Sequence, residues 1–329
     1  MTTQLNITEN VMDVQGNALL LNVDQAEMTL KDWAATHVDE IETWLATQGA
    51  LLLRGLRISS SRQFGQLLET LFGEPLISYS HRSTPRTELR GNVYTATEYH
   101  SDQLIQQHNE QAYTNIWPMR LGFFSMLPAE HGGETPIADS REIYRRIPES
   151  IRDNFAKKGV MYVRNFSNVD LPWQEVFCTE DRSEVEKYCL ENEVQLEWIG
   201  DNGLRIKQIL PAVCKHPVSN ETLWFNQAHL FHVSTLEPEL KSALLSSFGI
   251  ENLPRNTYYG DGTPIEDEVI DTIRTVYEES KISFAWQKGD LMLLDNMLYS
   301  HGRMPFSGER QTLVGMTRPF NVLDTIKTK

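Results

Sequence analysis

Short apolar runs separated by turn residues, in two blocks of the chain, limit its possible folds more than any other feature. In the first block, residues 158–235, the runs are GVMYVRNF, QLEWIG, LRIKQIL and ETLWFNQAHLF. In the second block, residues 281–320, they are KISFAWQKGDLMLLD and ERQTLVGMTRPF. Runs of this kind are typical of β-strands. The two blocks therefore predict two parts of one β-rich core, interrupted by helices near 236–248 and 264–280.

Further helices and strands are predicted before the first block. Residues 29–47 and 61–72 carry apolar residues at helical spacing, and Gly73 ends the second of these helices. Between them, ALLLRGL at 50–56 indicates a buried strand, as does RLGFFSML from residue 120.

Capping residues predict where two later helices begin. Ser140 is placed to cap a helix that covers SREIYRRIPESIRDNFAKKG at 140–159. For the helix at 264–280, Thr263 stands at the cap position, Pro264 at the first helical position and Glu266 three residues after the threonine.

Composition limits the class of protein. The chain has 329 residues, of which 40% are hydrophobic and 23% charged, and its formal net charge is −15. This length and composition are typical of a globular protein, and the sequence has no convincing linker. We therefore predict one domain, residues 1–329, with a helical insertion at about 236–280. The negative charge argues against nucleic acid or an anionic membrane as partner, because both need clustered Lys and Arg. No apolar run reaches the roughly 18 residues of a membrane span.

The cysteines bear on the compartment. The chain has three cysteines, an odd number, and no CxxC pair; they are Cys178, Cys189 and Cys214. This pattern favours three reduced thiols over a disulfide framework or a zinc site. The N-terminal MTTQLNITEN has no signal-peptide pattern. We therefore expect a cytoplasmic protein, and the sequence indicates no oligomeric state.

A His-x-Glu tripeptide is the first candidate for chemistry. Residues i and i+2 of an extended segment point to the same side, so His108 and Glu110 can reach one metal ion. His301, at the end of the apolar segment DLMLLDNMLYSH, is a candidate third ligand from a distant strand. Two histidines and one carboxylate on one face are the ligands of non-haem Fe(II) oxygenases.

Five segments resemble one protein family, and they are spread over about 260 residues. They are ALLLRGL (50–56), HNEQAY (108–113), GGETPIADSREIYRRIP (132–148), WFNQAHLFH (224–232) and GDLMLLDNMLYSHGRMPFSGER (289–310). The chain is similar to the taurine-dioxygenase-like (TauD/TfdA) Fe(II)/2-oxoglutarate-dependent oxygenases. Within that family it most resembles the branch that hydroxylates amino acids in peptide natural-product pathways, of the syringomycin-type aspartyl hydroxylase kind.

The resemblance implies an α+β, β-rich fold with a double-stranded β-helix (jelly-roll) core, as in clavaminate synthase, and flanking helices. It implies that Fe(II) is bound by His108, Glu110 and His301, with 2-oxoglutarate and O2 as cosubstrates. The far carboxylate of 2-oxoglutarate needs a fixed cation, for which the planar fork of arginine is best suited. The resemblance assigns this role to Arg310, with Thr135 assisting.

A second arginine is an alternative to Arg310. Arg318 lies eight residues further along the chain. Because side chains alternate between the two faces of a strand, Arg310 and Arg318 point to the same face if no bulge intervenes. We also name Tyr113, Asn226, Arg303 and Arg318 as substrate-binding candidates.

The expected reaction is hydroxylation of an unactivated C–H bond of an amino acid or amino-acid derivative, with release of succinate and CO2. The substrate is either free or tethered to a peptidyl carrier protein. Desaturation or cyclisation remains open, as does a non-catalytic jelly-roll binding protein. Related iron halogenases lack the metal-binding carboxylate, so Glu110 favours hydroxylation over halogenation.

Overall fold

The computed structural model describes residues 6–10, 18–78, 87–96, 99–166 and 170–323, the first of these segments by its backbone alone. Within these ranges the strands are, in chain order, β1 (Asn6–Asn10), β2 (Leu19–Asn22), β3 (Ala50–Arg54), β4 (Tyr94–Thr95), β5 (Ile105–His108), β6 (Ile116–Leu127), β7 (His131–Gly132), β8 (Ile137–Asp139), β9 (Val160–Phe166), β10 (Gln195–Ile199), β11 (Gly203–Leu210), β12 (Val213–Lys215), β13 (Thr222–Trp224), β14 (Arg255–Tyr259), β15 (Leu291–Asp295), β16 (Tyr299–Arg303), β17 (Phe306–Ser307) and β18 (Gln311–Asn321).

The helices in the same ranges are α1 (Leu30–Thr47), α2 (Ser61–Phe72), α3 (Ser140–Arg146), α4 (Glu149–Lys158), α5 (Trp173–Phe177), α6 (Arg182–Glu191), α7 (Ala228–Phe231), α8 (Pro238–Phe248) and α9 (Asp267–Glu279). None of them combines the length and apolar character that crossing a membrane requires.

Two facing sheets form the core. The larger has the strand order β1-β2-β3-β15-β6-β18-β4, and the smaller has the order β5-β16-β8. Buried apolar side chains from both sheets form one cluster, for example Leu121 and Leu294 of the larger sheet with Ile137 and Tyr299 of the smaller. Burial of the facing apolar surfaces holds the two sheets together. The fold is the double-stranded β-helix that the family resemblance implies.

Helices α1 and α2 cover the outer face of the larger sheet. They contribute Trp33, Ile41 and Phe64 to a second buried cluster, in which Leu51 and Leu293 come from β3 and β15. The bounds predicted for α2 are confirmed, and α1 begins one residue later than predicted, at Leu30. Thr29 and Ser60 accept hydrogen bonds at the two N-termini, and Gly73 ends α2 with φ of 69°, a left-handed conformation that glycine adopts without strain.

The prediction that residues 158–235 and 281–320 form parts of one core is wrong, because their main strands belong to different sheets. Strands β9, β10 and β11 form a separate four-stranded sheet with β14, in the order β10-β11-β9-β14, whereas β15 and β18 belong to the larger sheet. Helices α5 and α6, which the sequence did not predict, pack on this separate sheet. The predicted helical insertion at 236–280 contains α8 and α9, with β14 between them.

Three predicted boundaries are wrong. Asp139, not Ser140, caps α3 by accepting from the backbone N–H of Arg141. The single helix expected over 140–159 is two helices, because α3 ends before Ile147-Pro148 and the residue before a proline is disfavoured in helical conformation. The last insertion helix begins at Asp267.

Candidate active site

The three predicted metal ligands lie together in the structure. His108 ends β5, and His301 is directly opposite it on β16, with a separation of 4.6 Å between the ring centroids. Glu110 lies in the turn after β5, and its Oε2 is 3.6 Å from Nε2 of His301. One ligand atom from each residue lies within 4.8 Å of the other two.

The residues around His108 and Glu110 orient them. The Nδ1–H of His108 donates to the carbonyl of Gln106 at 2.8 Å, which leaves the lone pair of Nε2 for a metal ion. The side chain of Asn109 points the other way and donates to Ser140 and to the Asn296 carbonyl. This alternation confirms that His108 and Glu110 share one side.

The three side chains fit a divalent iron ion. Two neutral imidazoles and one carboxylate on one face are the ligand set that leaves open positions for cosubstrates. Glu110 is 2% exposed and His301 4% exposed, so a carboxylate and an imidazole are buried beside each other. A buried carboxylate is costly unless a cation or hydrogen-bond donors compensate it, and a metal ion at this position provides such compensation.

Asp295 and Asn296 support the site from β15 and the turn that follows it. The Asn296 side chain bonds both backbone polar groups of Glu110. Asp295 accepts from the backbone N–H groups of Met297 and Leu298 and pairs with Arg120 and His216. Burial opposes ionisation of Asp295, but the hydrogen bond from His216 and the charge of Arg120 lower its pKa overall.

Arg310 and Thr135 line the same cavity as His108 and His301. Nε of Arg310 donates to the carbonyl of Gly133 at 3.1 Å. Burial, reinforced by the charge of Arg303, lowers the pKa of Arg310 to about 10, with Glu134 acting in the opposite direction. A cation that is disfavoured in this way is stabilised by an anionic ligand.

The hydroxyl of Thr135 is placed to donate into that cavity. Its Oγ accepts from Nε1 of Trp286 at 3.0 Å, so the hydroxyl hydrogen is left to donate to another acceptor. The backbone conformation and close packing of Gly133 explain why the GGET motif has a glycine at this position. Its φ is +73°, and a Cβ there would lie 3.0 Å from Cδ of Arg310. The contact with Trp286 was not predicted, because 151 residues separate it from Thr135 and no local pattern connects them.

Arg303 lines the cavity and also holds a loop. Its guanidinium donates to the carbonyls of Tyr99, His100 and Gln103. Arg303 thus fastens residues 99–103 to the strand that carries His301.

The other substrate candidates lie in different places. Tyr113 lines a second cavity, described below. Both polar groups of Asn226 bond backbone, through Ala212 and Ala228, and its side chain is fully buried. Arg318 has φ of 56° and bonds Glu42 and the Phe72 carbonyl on the side of α1 and α2. This left-handed backbone breaks the strand alternation that would have given Arg318 the facing of Arg310.

Comparison with known proteins gives the family. Residues 15–317 match the family described as "Taurine catabolism dioxygenase TauD, TfdA family". The chain is 42% identical over 302 residues to the dapdiamide synthesis protein DdaC of Enterobacter agglomerans, covering 91% of each chain. It is 29% identical over 291 residues to a clavaminate synthase-like protein of Arabidopsis thaliana, covering 84% of each.

Solved structures show the same fold. One of them is PvcB of Pseudomonas aeruginosa, described as an Fe, alpha-ketoglutarate dependent oxygenase from an isonitrile synthetic pathway. Its TM-score is 0.56 at 13% identity, covering 98% of this chain and 95% of that chain. The match to the family over most of the chain, together with the site described above, identifies this protein as a member of the TauD/TfdA family and as a 2-oxoglutarate-dependent dioxygenase that uses Fe(II) and O2.

Proposed function

We propose that this protein hydroxylates an unactivated C–H bond of an amino acid or amino-acid derivative, with conversion of 2-oxoglutarate to succinate and CO2. His108, Glu110 and His301 bind the iron, Arg310 binds the far carboxylate of 2-oxoglutarate, and Thr135 donates a hydrogen bond to the same cosubstrate. The single observation that carries the proposal is the shared cavity. His108, His301, Thr135 and Arg310 line it together, although they come from separate parts of the chain.

The substrate class is supported by sequence similarity. DdaC is a dapdiamide synthesis protein, and the similarity to it extends over 91% of both chains. A role in natural-product biosynthesis is therefore favoured, with an amino-acid-like small molecule as substrate. If the substrate is tethered, the proposal includes a peptidyl carrier protein as partner. A cytoplasmic location is supported by three cysteines that are free thiols.

The protein contributes binding and orientation. Iron with 2-oxoglutarate and O2 supplies the oxidising power for C–H cleavage when it is bound. Arg310 and Thr135 fix the orientation of the cosubstrate, Asn296 fixes the backbone of Glu110, and Arg303 holds loop 99–103 beside the cavity. Such positioning lowers the barrier because the reacting groups are already aligned.

Turnover of a panel of amino acids and amino-acid derivatives, free and loaded on a carrier protein, tests the proposal. The purified protein with Fe(II), ascorbate and 2-oxoglutarate should form succinate and a product with one more oxygen atom, detected by mass spectrometry. His108→Ala should form neither, and should lack the visible band that wild type shows with Fe(II) and 2-oxoglutarate without oxygen. Equal succinate from both proteins across the panel would contradict the proposal, and a product that lacks two hydrogens would identify a desaturase or cyclase.

A further inference from the structure

A second cavity lies beside the turn that follows Glu110. It has a volume of about 80 Å³, and Tyr113, Phe177, Phe231 and other largely apolar side chains line it together with Arg164 and Arg255. A water molecule needs only about 10–15 Å³ measured in this way, so the cavity can take a small organic group. Two guanidinium groups in a largely apolar cavity call for an explanation, because burying charge is costly.

The two arginines are directly opposite each other in the four-stranded sheet. Arg164 of β9 and Arg255 of β14 are cross-strand partners. Like charges in this arrangement destabilise a sheet. Asp170 lies between them, with a carboxylate oxygen 3.3 Å from Nε of Arg164 and 2.7 Å from Nε of Arg255. The side chains of Arg164 and Arg255 are 13% and 23% exposed, so both are partly buried and remain accessible to solvent.

The electrostatics of the pair are unequal. Burial and the charge of Arg255 together lower the pKa of Arg164 to about 10, although Asp170 acts in the opposite direction. Burial also opposes the charge of Arg255, but its hydrogen bonds and ion pair with Asp170 raise its pKa overall. The surroundings of Arg164 therefore disfavour its positive charge even with Asp170 present. An additional negative group in the cavity would relieve that cost.

Contacts connect this cavity to the metal ligands. Tyr113 is three residues after Glu110, and its ring packs edge-on against Phe231 with 5.3 Å between the centroids. Gln227, just before α7, donates to the carbonyl of Asn109 at 2.6 Å, and its backbone N–H donates to the hydroxyl of Tyr162, another residue of the cavity wall. One residue of the cavity wall, Tyr113, therefore lies in the turn after Glu110, and Gln227 connects a second, Tyr162, to the backbone between His108 and Glu110.

We propose that this cavity binds a carboxylate of the substrate between Arg164 and Arg255, with the apolar part of the substrate against Tyr113 and Phe231. The inference rests on the proposed function and makes it more specific, since the substrate then carries a free carboxylate. Guanidinium groups suit this ligand because their planar donors match the two carboxylate oxygens. An amino acid tethered through its own α-carboxyl group as a thioester has no such carboxylate, unless its side chain provides one.

Matched acids and amides test the proposal. The probes are N-acetyl-L-leucine, N-acetyl-L-phenylalanine and N-acetyl-L-asparagine, each compared with its primary amide. Binding is measured by calorimetry to the Fe(II) protein saturated with 2-oxoglutarate without oxygen, so that the site at Arg310 is already filled. We expect at least one acid to bind about tenfold or more tightly than its amide, a difference of about 1.4 kcal/mol.

Variants of the two arginines test whether these residues cause the preference for the acid over the amide. Arg164→Gln and Arg255→Gln should each abolish it, and Arg164→Lys should retain part of it because the charge remains. Arg205→Gln is the matched control. Arg205 lies in the neighbouring strand β11, opposite Asn165, and bonds Asn165 and Glu197 rather than lining the cavity. Thermal unfolding of every variant establishes that the fold is kept.

The outcomes separate this inference from the proposed hydroxylase activity. Equal binding of acids and amides, no binding of any probe at about 10 mM, or a preference unchanged in both glutamine variants would overturn the carboxylate site. An acid preference that depends on Arg164 and Arg255 would support it even if no member of the wider panel yields succinate. That second result would count against the hydroxylase proposal alone, because the binding measurement requires no turnover.

Discussion

The side-chain amide of Asn296 and the backbone of Glu110 form a two-point contact. The N–H of Glu110 donates to Oδ1 of Asn296 at 2.7 Å, and Nδ2 of Asn296 donates to the carbonyl of Glu110 at 2.9 Å. Nδ2 also donates to the carbonyl of Pro118 at 2.8 Å, and the side chain is fully buried. A residue 186 positions away thus fixes the backbone of a metal-ligand candidate in the turn after β5.

Asn296→Ala should weaken iron binding, because Glu110 would lose the two bonds that hold its backbone. The loss of such a supporting contact typically costs about 10–100-fold in metal affinity. Anaerobic titration with Fe(II) in the presence of 2-oxoglutarate, followed by the visible band, measures the change. The control is Asn226→Ala, which removes an equally buried asparagine bonded to backbone but not to Glu110. Similar affinities for Fe(II) in the two variants would show that Asn296 does not support the metal site.

Arg310→Gln should raise the dissociation constant for 2-oxoglutarate by about 30-fold or more. Truncating one partner of a buried charge pair costs about 2–5 kcal/mol. Arg310→Lys should recover part of the loss, because it restores the charge without the fork. Arg318→Gln, whose native side chain instead bonds Glu42 and Phe72, should leave this constant unchanged. The reverse pattern between Arg310→Gln and Arg318→Gln would give the role to Arg318.

Gly133→Ala should weaken 2-oxoglutarate binding as well as stability. A left-handed alanine costs about 1–2 kcal/mol, and the new Cβ would press on the Arg310 side chain. Gly91→Ala is the control, since Gly91 has a similar φ of +70° with no atom within 4 Å of the added Cβ. Calorimetry with 2-oxoglutarate and thermal unfolding separate the two effects. Equal 2-oxoglutarate affinity in the two variants would show that contact with Arg310 does not matter.

His229 should make the protein less stable as the pH falls from 6.5 to 4. Burial lowers its pKa from 6.5 to about 4, against the hydrogen bond from its Nε2–H to the Gln107 carbonyl at 2.9 Å. In that window the unfolded chain binds the proton and the folded chain does not. The stabilisation is therefore complete above the unfolded pKa and is lost as the pH falls, by about 3 kcal/mol in total.

Denaturant unfolding at several pH values measures this contribution. His229→Gln keeps a donor for Gln107 but cannot titrate, so the free energy of unfolding should fall less steeply with decreasing pH in this variant. His131→Gln, at an exposed position, should retain the wild-type slope. A slope in His229→Gln as steep as in wild type would contradict the prediction.

The described strands and helices show where local pattern is sufficient. The periods of α1 and α2 and the glycine at 73 depend on neighbouring residues, and all were predicted from the sequence. The missed helices α5 and α6 have only five and ten residues. They lie between segments with a strand-like apolar pattern, so the whole region was interpreted as strands. The pairing of β9 with β14 could not be read from periodicity, because apolar alternation defines which face is buried but not which strand lies alongside.

The sequence by itself determined the family, the donor types at His108, Glu110 and His301, and the arginine and threonine candidates for the cosubstrate, because side-chain chemistry and spacing are written in the chain. Only the tertiary structure showed that the two arginines have different surroundings, since the side chain of Arg318 bonds Glu42 while Arg310 lines the cavity with the histidines, and this difference supports our proposal for Arg310. Tertiary structure also brought Asn296 to Glu110 and Arg164 to Arg255. Contacts between residues so far apart along the chain follow from sheet pairing and core packing, for which a single sequence carries no local signal.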